Sequence, residues 1–310
     1  MIRVDKVRKR YGDVVAVDDL TFEVRPGIVT GFLGPNGSGK STTMRMIIGL
    51  DAPTSGAVTV NGKAYRRHVA PLREVGALLE ARSIHPGRSA RNHLISLAAT
   101  TGISPARVDE VLGMVGLSEV ASKRTKGFSL GMGQRLGIAA ALLGDPATII
   151  LDEPTNGLDP EGILWVRHLL KRLAAQGRTV LVSSHLMAEM SLTADHLIII
   201  GKGKMLADVS VAEFTRRSAL DLVYLRSPAT VRLAELLARP GVTITPVGSD
   251  RLEIGGLGSD VIGDIAAEHG LPIHELTPHQ ASLEEAFMDM TRDSVEYHTT
   301  NEPATVGASA

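Results

Sequence analysis

The chain has 310 residues, 44% hydrophobic and 22% charged, enough for a full-sized α/β core and a small second domain. Its formal net charge of −1 gives no global electrostatic case for binding nucleic acid or an anionic membrane. Without a single cysteine it excludes disulfides, thiolate metal sites and a cysteine nucleophile, which fits a reducing compartment.

Met1 to Asp13 is basic, but no apolar stretch of signal-peptide length follows it. No apolar run reaches the ~18–20 residues that span a bilayer. From residue 1 to about 215, short β-rich runs alternate with helical periodicity, as in a layered α/β domain. Ile28 to Leu33 predicts a strand ending in a glycine-rich turn, and Lys40 to Ile48 predicts the helix after it. Val58 to Val60 predicts a strand stopped by the turn dipeptide Asn61-Gly62.

Between about 83 and 145 the pattern becomes mostly helical. Ser104-Pro105 reads as an N-cap followed by proline at the first helical position, and Val108, Val111, Leu112 and Val115 recur at helical spacing. Strands return at Thr148 to Asp152, Thr179 to Ser183 and His196 to Ile200. Thr148 to Leu151 and Leu197 to Ile200 are apolar enough for a buried parallel sheet. Ile163, Val166, Leu169, Leu170 and Leu173 form a helix face between the first two strands. The expectation is an α/β core (1–217) carrying a helical subdomain (about 83–145).

Residues 218–292 read differently. Strands are expected at Asp221 to Arg226, Val242 to Val247, Arg251 to Ile254 and Ile273 to Leu276. Helices are expected at Ala229 to Ala238, Asp260 to His269 and Leu283 to Thr291. The order β-α-β-β-α-β is that of a ferredoxin-like α+β domain. The polar, small-residue-rich tail, 293–310, is expected to be disordered.

Gly34-Pro35-Asn36-Gly37-Ser38-Gly39-Lys40-Ser41 fits the phosphate-loop pattern G-x-x-x-x-G-K-[ST], placed between a predicted strand and helix as that pattern demands. Glycines let backbone N–H groups curl around phosphate oxygens, and the helix N-terminus points positive charge at the same anion. Lys40 can bridge the outer phosphates and the Ser41 hydroxyl can ligate Mg²⁺, with Thr42 next to them. Thr148 to Glu153 is an apolar strand ending in adjacent carboxylates. Alone, such an ending is more often a solvated turn. About a hundred residues after a phosphate loop, Asp152 is placed to hold the metal and Glu153 to orient and deprotonate the attacking water.

These motifs resemble the nucleotide-binding subunits of ABC transporters, over essentially residues 1 to 290. Phe128 to Arg135 resembles the family signature Leu-Ser-Gly-Gly-Gln, aligned on Ser129 and Gly131, with Leu130 and Met132 departing from it and a helix expected to start near Gln134. The family presents this element, here Ser129, Gly131 and Met132, to the ATP of a second copy. The resemblance therefore implies a homodimer that sandwiches two nucleotides. Asn156 to Asp159 resembles the loop that couples the two sites, His185 the histidine that contacts the γ-phosphate, and Tyr11 the aromatic that stacks on adenine. Alone, such a histidine is usually structural or solvated, and the lesser reading of Tyr11 is an ordinary surface residue. Where the family normally has glutamine, after the strand Val75 to Leu79, this chain has Glu80, a further oxygen ligand for a metal.

The bacitracin/daunorubicin-resistance type of exporter ATPase is the nearest resemblance, and the bacitracin-resistance kind tolerates Glu at this place. It implies MgATP hydrolysis that drives a separate transmembrane permease subunit, with the chain held at the cytoplasmic face of the membrane, no nucleic-acid partner, and drug export. Docking is expected near Glu80 to Leu97, starting at Ala81-Arg82-Ser83-Ile84-His85. Two other readings stay open. One is an importer ATPase whose C-terminal domain binds a regulatory ligand. The other is a soluble ATPase of ribosomes or repair, although neither a second cassette nor a long coiled coil is present.

Overall fold

The computed structural model describes residues 1–80, 84–218, 222–279 and 283–291. The expected disordered tail and Ala81–Ser83 of the expected docking run lie outside the described residues. Two compact units divide the chain, one of residues 1–186 and 192–208, the other of 187–191 and 209–290.

The first unit begins with β1 (Ile2–Tyr11) and β2 (Val14–Val24), joined by a two-residue turn in which Gly12 takes φ +56°. After them come β3 (Val29–Leu33), α1 (Lys40–Ile47), β4 (Ser55–Val60), α2 (Pro71–Glu74) and β5 (Val75–Leu78). The helical part holds α3 (Ala90–Ala99), α4 (Pro105–Met114) and α5 (Leu130–Leu142). It is followed by β6 (Thr148–Leu151), α6 (Pro160–Ala175), β7 (Thr179–Ser184), α7 (Met187–Thr193, of which residues 187–191 belong to the second unit), β8 (His196–Gly201) and β9 (Lys204–Ser210, its last two residues in the second unit).

Two sheets result. β4 does not join the parallel sheet; it pairs antiparallel with β1, giving a three-stranded sheet in the order β2-β1-β4. The larger sheet has the order β5-β6-β7-β3-β8-β9, and β5/β6, β6/β7, β7/β3 and β3/β8 are all parallel. Every residue of β3, β6 and β7 is buried, as near-continuous apolar runs in a covered parallel sheet require. Phe22 and Phe32, from the two sheets, meet in one core with ring centroids 5.5 Å apart. α4 begins as its sequence predicts, with Pro105 in the first turn and Ser104 Oγ accepting the Arg107 N–H.

One helix starts earlier than the sequence suggested. α5 begins at Leu130 rather than near Gln134, because Ser129 is an extended N-cap whose hydroxyl accepts the Met132 N–H at 3.2 Å. Gly131 and Gly133 are poor helix formers that obscure the pattern, but burial of the following face outweighs them.

The second unit contains α8 (Val211–Ser218), β10 (Leu222–Arg226), α9 (Thr230–Leu237), β11 (Thr243–Pro246), β12 (Arg251–Gly255), α10 (Ser259–Glu268), β13 (Glu275–His279) and α11 (Leu283–Thr291, its last residue beyond the unit). Its antiparallel sheet has the order β11-β12-β10-β13, the ferredoxin-like arrangement. Val223, Leu225, Leu233, Leu252, Ile254 and Ile262 form its own core. β13 lies two to three residues later than the expected Ile273 to Leu276. Pairing with β10 sets Arg226 opposite Glu275 and Leu222 opposite His279, while Ile273 packs on the core from the preceding loop. Pro278 is tolerated because β13 is an edge strand.

Candidate nucleotide-binding site

The loop Gly34 to Gly39 turns from the carboxyl end of β3 into the first turn of α1. Gly39, at the N-cap, has φ +100°, and a Cβ there would come within 2.6 Å of the Ala16 carbonyl oxygen. A Cβ on Gly34 would meet the Ile200 carbonyl oxygen at 2.4 Å. Inside the loop the Ser38 hydroxyl is buried and has no hydrogen-bond partner among the described residues. Lys40 folds back over the loop, donating from Nζ to the carbonyls of Gly34 at 2.6 Å and Pro35 at 3.1 Å. Burial lowers the Lys40 pKa, opposed by the Glu153 and Asp152 carboxylates. Together these features fit a phosphate chain: a glycine cradle, an orphaned hydroxyl and a nearly buried cation.

Parallel pairing brings the ends of β6 and β7 beside this loop. The Ser41 hydroxyl donates to Asp152 Oδ2 at 2.9 Å, and Ser183, near the end of β7, donates its hydroxyl to Asp152 Oδ1. Glu153 sits at φ +48°, a left-handed conformation that costs a non-glycine residue about 1–3 kcal/mol. Two contacts hold it there. Its N–H donates to Ser183 Oγ at 3.0 Å, and its carbonyl accepts from Gln134 Nε2 at 3.0 Å. The carboxylate reaches His185, with Oε2 at 2.8 Å from Nδ1.

Ser41, Asp152 and Glu80 line one cavity of about 520 Å³, with Leu50, Ile84 and His93 on its other walls. Among the described residues, no three histidine, aspartate or glutamate side chains converge as a metal-binding cluster. A hard cation here would rest on the Ser41 hydroxyl and the Asp152 carboxylate, with further oxygens from the ligand. His93 Nδ1 is buried without a hydrogen-bond partner among the described residues.

Tyr11 is 46% exposed, and its hydroxyl donates to Asp51 Oδ2 at 2.8 Å. Desolvation, reinforced by Asp51, raises its pKa, and Lys9 Nζ lies 4.7 Å from the ring centroid. Arg45 of α1 shares the Asp51 oxygen, which ties Tyr11 to the helix that carries Thr42. No hydrogen bond joins Ser129, Gly131 or Met132 to Gly34–Ser41 among the described residues. Gly131 instead packs on the loop before α6, where a Cβ would stand 3.1 Å from the Gly157 carbonyl oxygen. Asp159 caps α6, its Oδ1 accepting the Gly162 N–H at 2.9 Å.

Two residues with work at this site were not singled out by the sequence. Ser183 links both carboxylate residues, and Gln134 holds the strained Glu153 backbone. A hydroxyl at the end of a buried strand beside β6 was the available signal for Ser183; nothing local marked Gln134.

A strand, glycine-rich loop and helix at the carboxyl edge of a parallel sheet define a P-loop nucleotide-binding protein. Residues 17–156 match the family model described as ABC transporter, and residues 221–284 match one described as Domain of unknown function (DUF8746). Bacitracin transport ATP-binding protein BcrA of Bacillus licheniformis is 35% identical over 94% of this chain and 97% of its own length. Nod factor export ATP-binding protein I of Paraburkholderia xenovorans is 35% identical over 81% of this chain and 84% of its own. The solved dimeric structure of a bacterial ABC transporter cassette superposes with TM-score 0.63 at 26% identity, covering 68% of this chain and 99% of its own. The chain belongs to the ABC transporter ATP-binding subunits, and its activity is ATP hydrolysis coupled to transport. No helix among the described residues is long and apolar enough to cross a membrane.

Proposed function

We propose that two copies of this chain clamp two MgATP molecules and drive export of an antibiotic-like substrate through a separate membrane subunit. The observation that carries the reading is the meeting, at one sheet edge, of Lys40, the Ser41–Asp152 pair and the Glu153–His185 pair. Antibiotic export is supported by the similarity to the bacitracin transport protein along nearly the whole chain. The Nod factor export protein supports the outward direction.

The residues divide the work as follows. Gly34, Pro35, Asn36, Gly37, Ser38 and Gly39 wrap the phosphates with backbone N–H groups, and Lys40 moves its ammonium from the loop carbonyls to the outer phosphates. Ser41, Asp152 and Glu80 would hold Mg²⁺, which would supply charge neutralisation of the phosphate oxygens. Glu153 accepts the proton of the attacking water, and His185 orients that carboxylate and senses the γ-phosphate. Tyr11 offers the base the ring face opposite Lys9, while Thr42 extends the loop contacts. Ser129, Gly131 and Met132 present the N-terminus of α5 to the second copy's nucleotide, and Asp159 couples the sites. The likeness to a dimeric cassette supports this pairing. The membrane subunit docks near Glu80 to Leu97, a stretch from which Glu80, Ile84 and His93 line the cavity that holds the metal residues, and this docking keeps the chain at the inner membrane face.

The test is expression together with any membrane protein found in the neighbouring reading frames, in a bacitracin-sensitive host. Raised resistance that disappears with Glu153→Gln is the expected result. An adjacent gene for a periplasmic-type binding protein, with unchanged antibiotic sensitivity, would replace export by import.

A further inference from the structure

The C-terminal sheet has an open face that nucleotide hydrolysis does not use. Along β10, Val223 and Leu225 point into the core of the unit, so Leu222, Tyr224 and Arg226 stand on the other side. The register sets Arg226 directly between Glu275 of β13 and Arg251 of β12. Val247 follows in the same row, its N–H donating to the Arg251 carbonyl. One step along the strands, Tyr224 stands between Thr277 and Glu253.

The row Glu275, Arg226, Arg251 is therefore minus, plus, plus. Arg226 pairs with Glu275 at 3.4 Å, whereas the Arg251 side chain has no hydrogen bond or ion pair among the described residues. Like charges directly opposed across two strands destabilise a sheet. A cavity of about 240 Å³ opens at this place, its wall including Tyr224, Arg226, Arg251, Val247, Thr277 and Glu275, whose carboxylate is engaged by Arg226. It has a cationic end, a hydroxyl and an apolar flank. Its size lies below the ~300–1,000 Å³ of drug-sized sites, which suits a single ring or a short branched chain.

We infer that this cavity binds a small organic monocarboxylate with a flat or branched apolar body. The carboxylate takes parallel N–H donors from the Arg251 guanidinium and relieves its repulsion with Arg226. The body lies on the Tyr224 ring and Val247. Charge selects the class. In the cavity wall Glu275 offsets Arg226 and leaves Arg251 as one positive charge in excess, so a single negative charge is matched, while Glu253 on the same face repels a polyanion such as nucleic acid or a free phosphate. None of the residues of the ATPase site lines this cavity.

Benzoate is the probe, titrated into the full-length protein by calorimetry and saturation-transfer NMR, with benzamide as its uncharged analogue. Saturable benzoate binding of millimolar affinity or tighter is expected, with benzamide weaker by about tenfold or more. Arg251→Gln should weaken benzoate by about tenfold or more, and Arg251→Lys, which keeps the charge but loses the fork, by less. Arg239→Gln should change nothing. Absence of saturable binding, equal binding of benzamide, competition by inorganic phosphate at equal concentration, or insensitivity to Arg251→Gln would each overturn the proposal. If Arg251→Gln fails to fold, the comparison of benzoate with benzamide on the unaltered protein still decides it.

Discussion

His185 Nδ1 lies 2.8 Å from Glu153 Oε2, although 32 residues separate them along the chain. The Glu153 side chain is 22% exposed and that of His185 51% exposed, so the pair stands at the mouth of the site where water and nucleotide can both reach it. Replacing Glu153 by Gln keeps shape and hydrogen bonding but removes the proton acceptor. Turnover should fall by about 10²-fold or more while ATP still binds. Light scattering should then show ATP holding two chains together. His185→Ala should lower turnover with Glu153 in place; a Glu153→Gln variant that hydrolyses at the normal rate would move the catalytic base elsewhere.

Lys40→Ala should abolish tight ATP binding or hydrolysis. The substitution removes the only side-chain ammonium within Gly34–Ser41, and with it the contacts to Gly34 and Pro35. Nucleotide titration with a phosphate-release assay measures this, and unaltered turnover would exclude the loop from the active site.

Glu80→Gln exchanges a charged oxygen ligand for a neutral one on the cavity shared with Ser41 and Asp152. ATPase activity should persist, with its half-maximal Mg²⁺ or Mn²⁺ concentration raised. Superimposable metal titrations of the two proteins would place Glu80 beyond reach of the metal.

His93 offers a pH test. Burial, and then the Arg88 charge, lower its pKa from the ordinary 6.5. The unfolded chain therefore binds this proton first as the pH falls. The His93 contribution to stability is complete above about pH 6.5 and is lost progressively from there down to the lowered folded value. His93→Gln should flatten that part of the profile, read as urea midpoints at pH 7.5 and pH 5.5. An equal drop in both proteins would assign the slope to other groups.

Local chemistry made much of this protein readable in one dimension. The glycine pattern before Lys40 has few other uses, since only residues without a Cβ fit where Ala16 and Ile200 carbonyls press on the loop. The runs Thr148 to Leu151 and Leu197 to Ile200 read as buried strands from their apolar character, short length and turn flanks, and they are strands. The second domain's element order was legible for the same reason, because its hairpins and helices are short-range features.

The rest depended on contacts distant in sequence. The register of β13 followed from pairing with β10 about fifty residues earlier, and so the apolar Ile273 to Leu276 misled. The assignment of β4 to the β1/β2 sheet was equally invisible, since a strand's partner is not encoded in its own alternation. By itself, then, the sequence determined the phosphate loop, the Asp152–Glu153 strand end and the order of elements, all set by local backbone and hydrophobic constraints. Only the tertiary structure decided that Ser183 would bridge Asp152 and Glu153 and that Gln134 would hold Glu153 at positive φ. Those contacts arise where parallel β6 and β7 end side by side against α5, and an uncommon backbone conformation persists only where surrounding hydrogen bonds offset its cost.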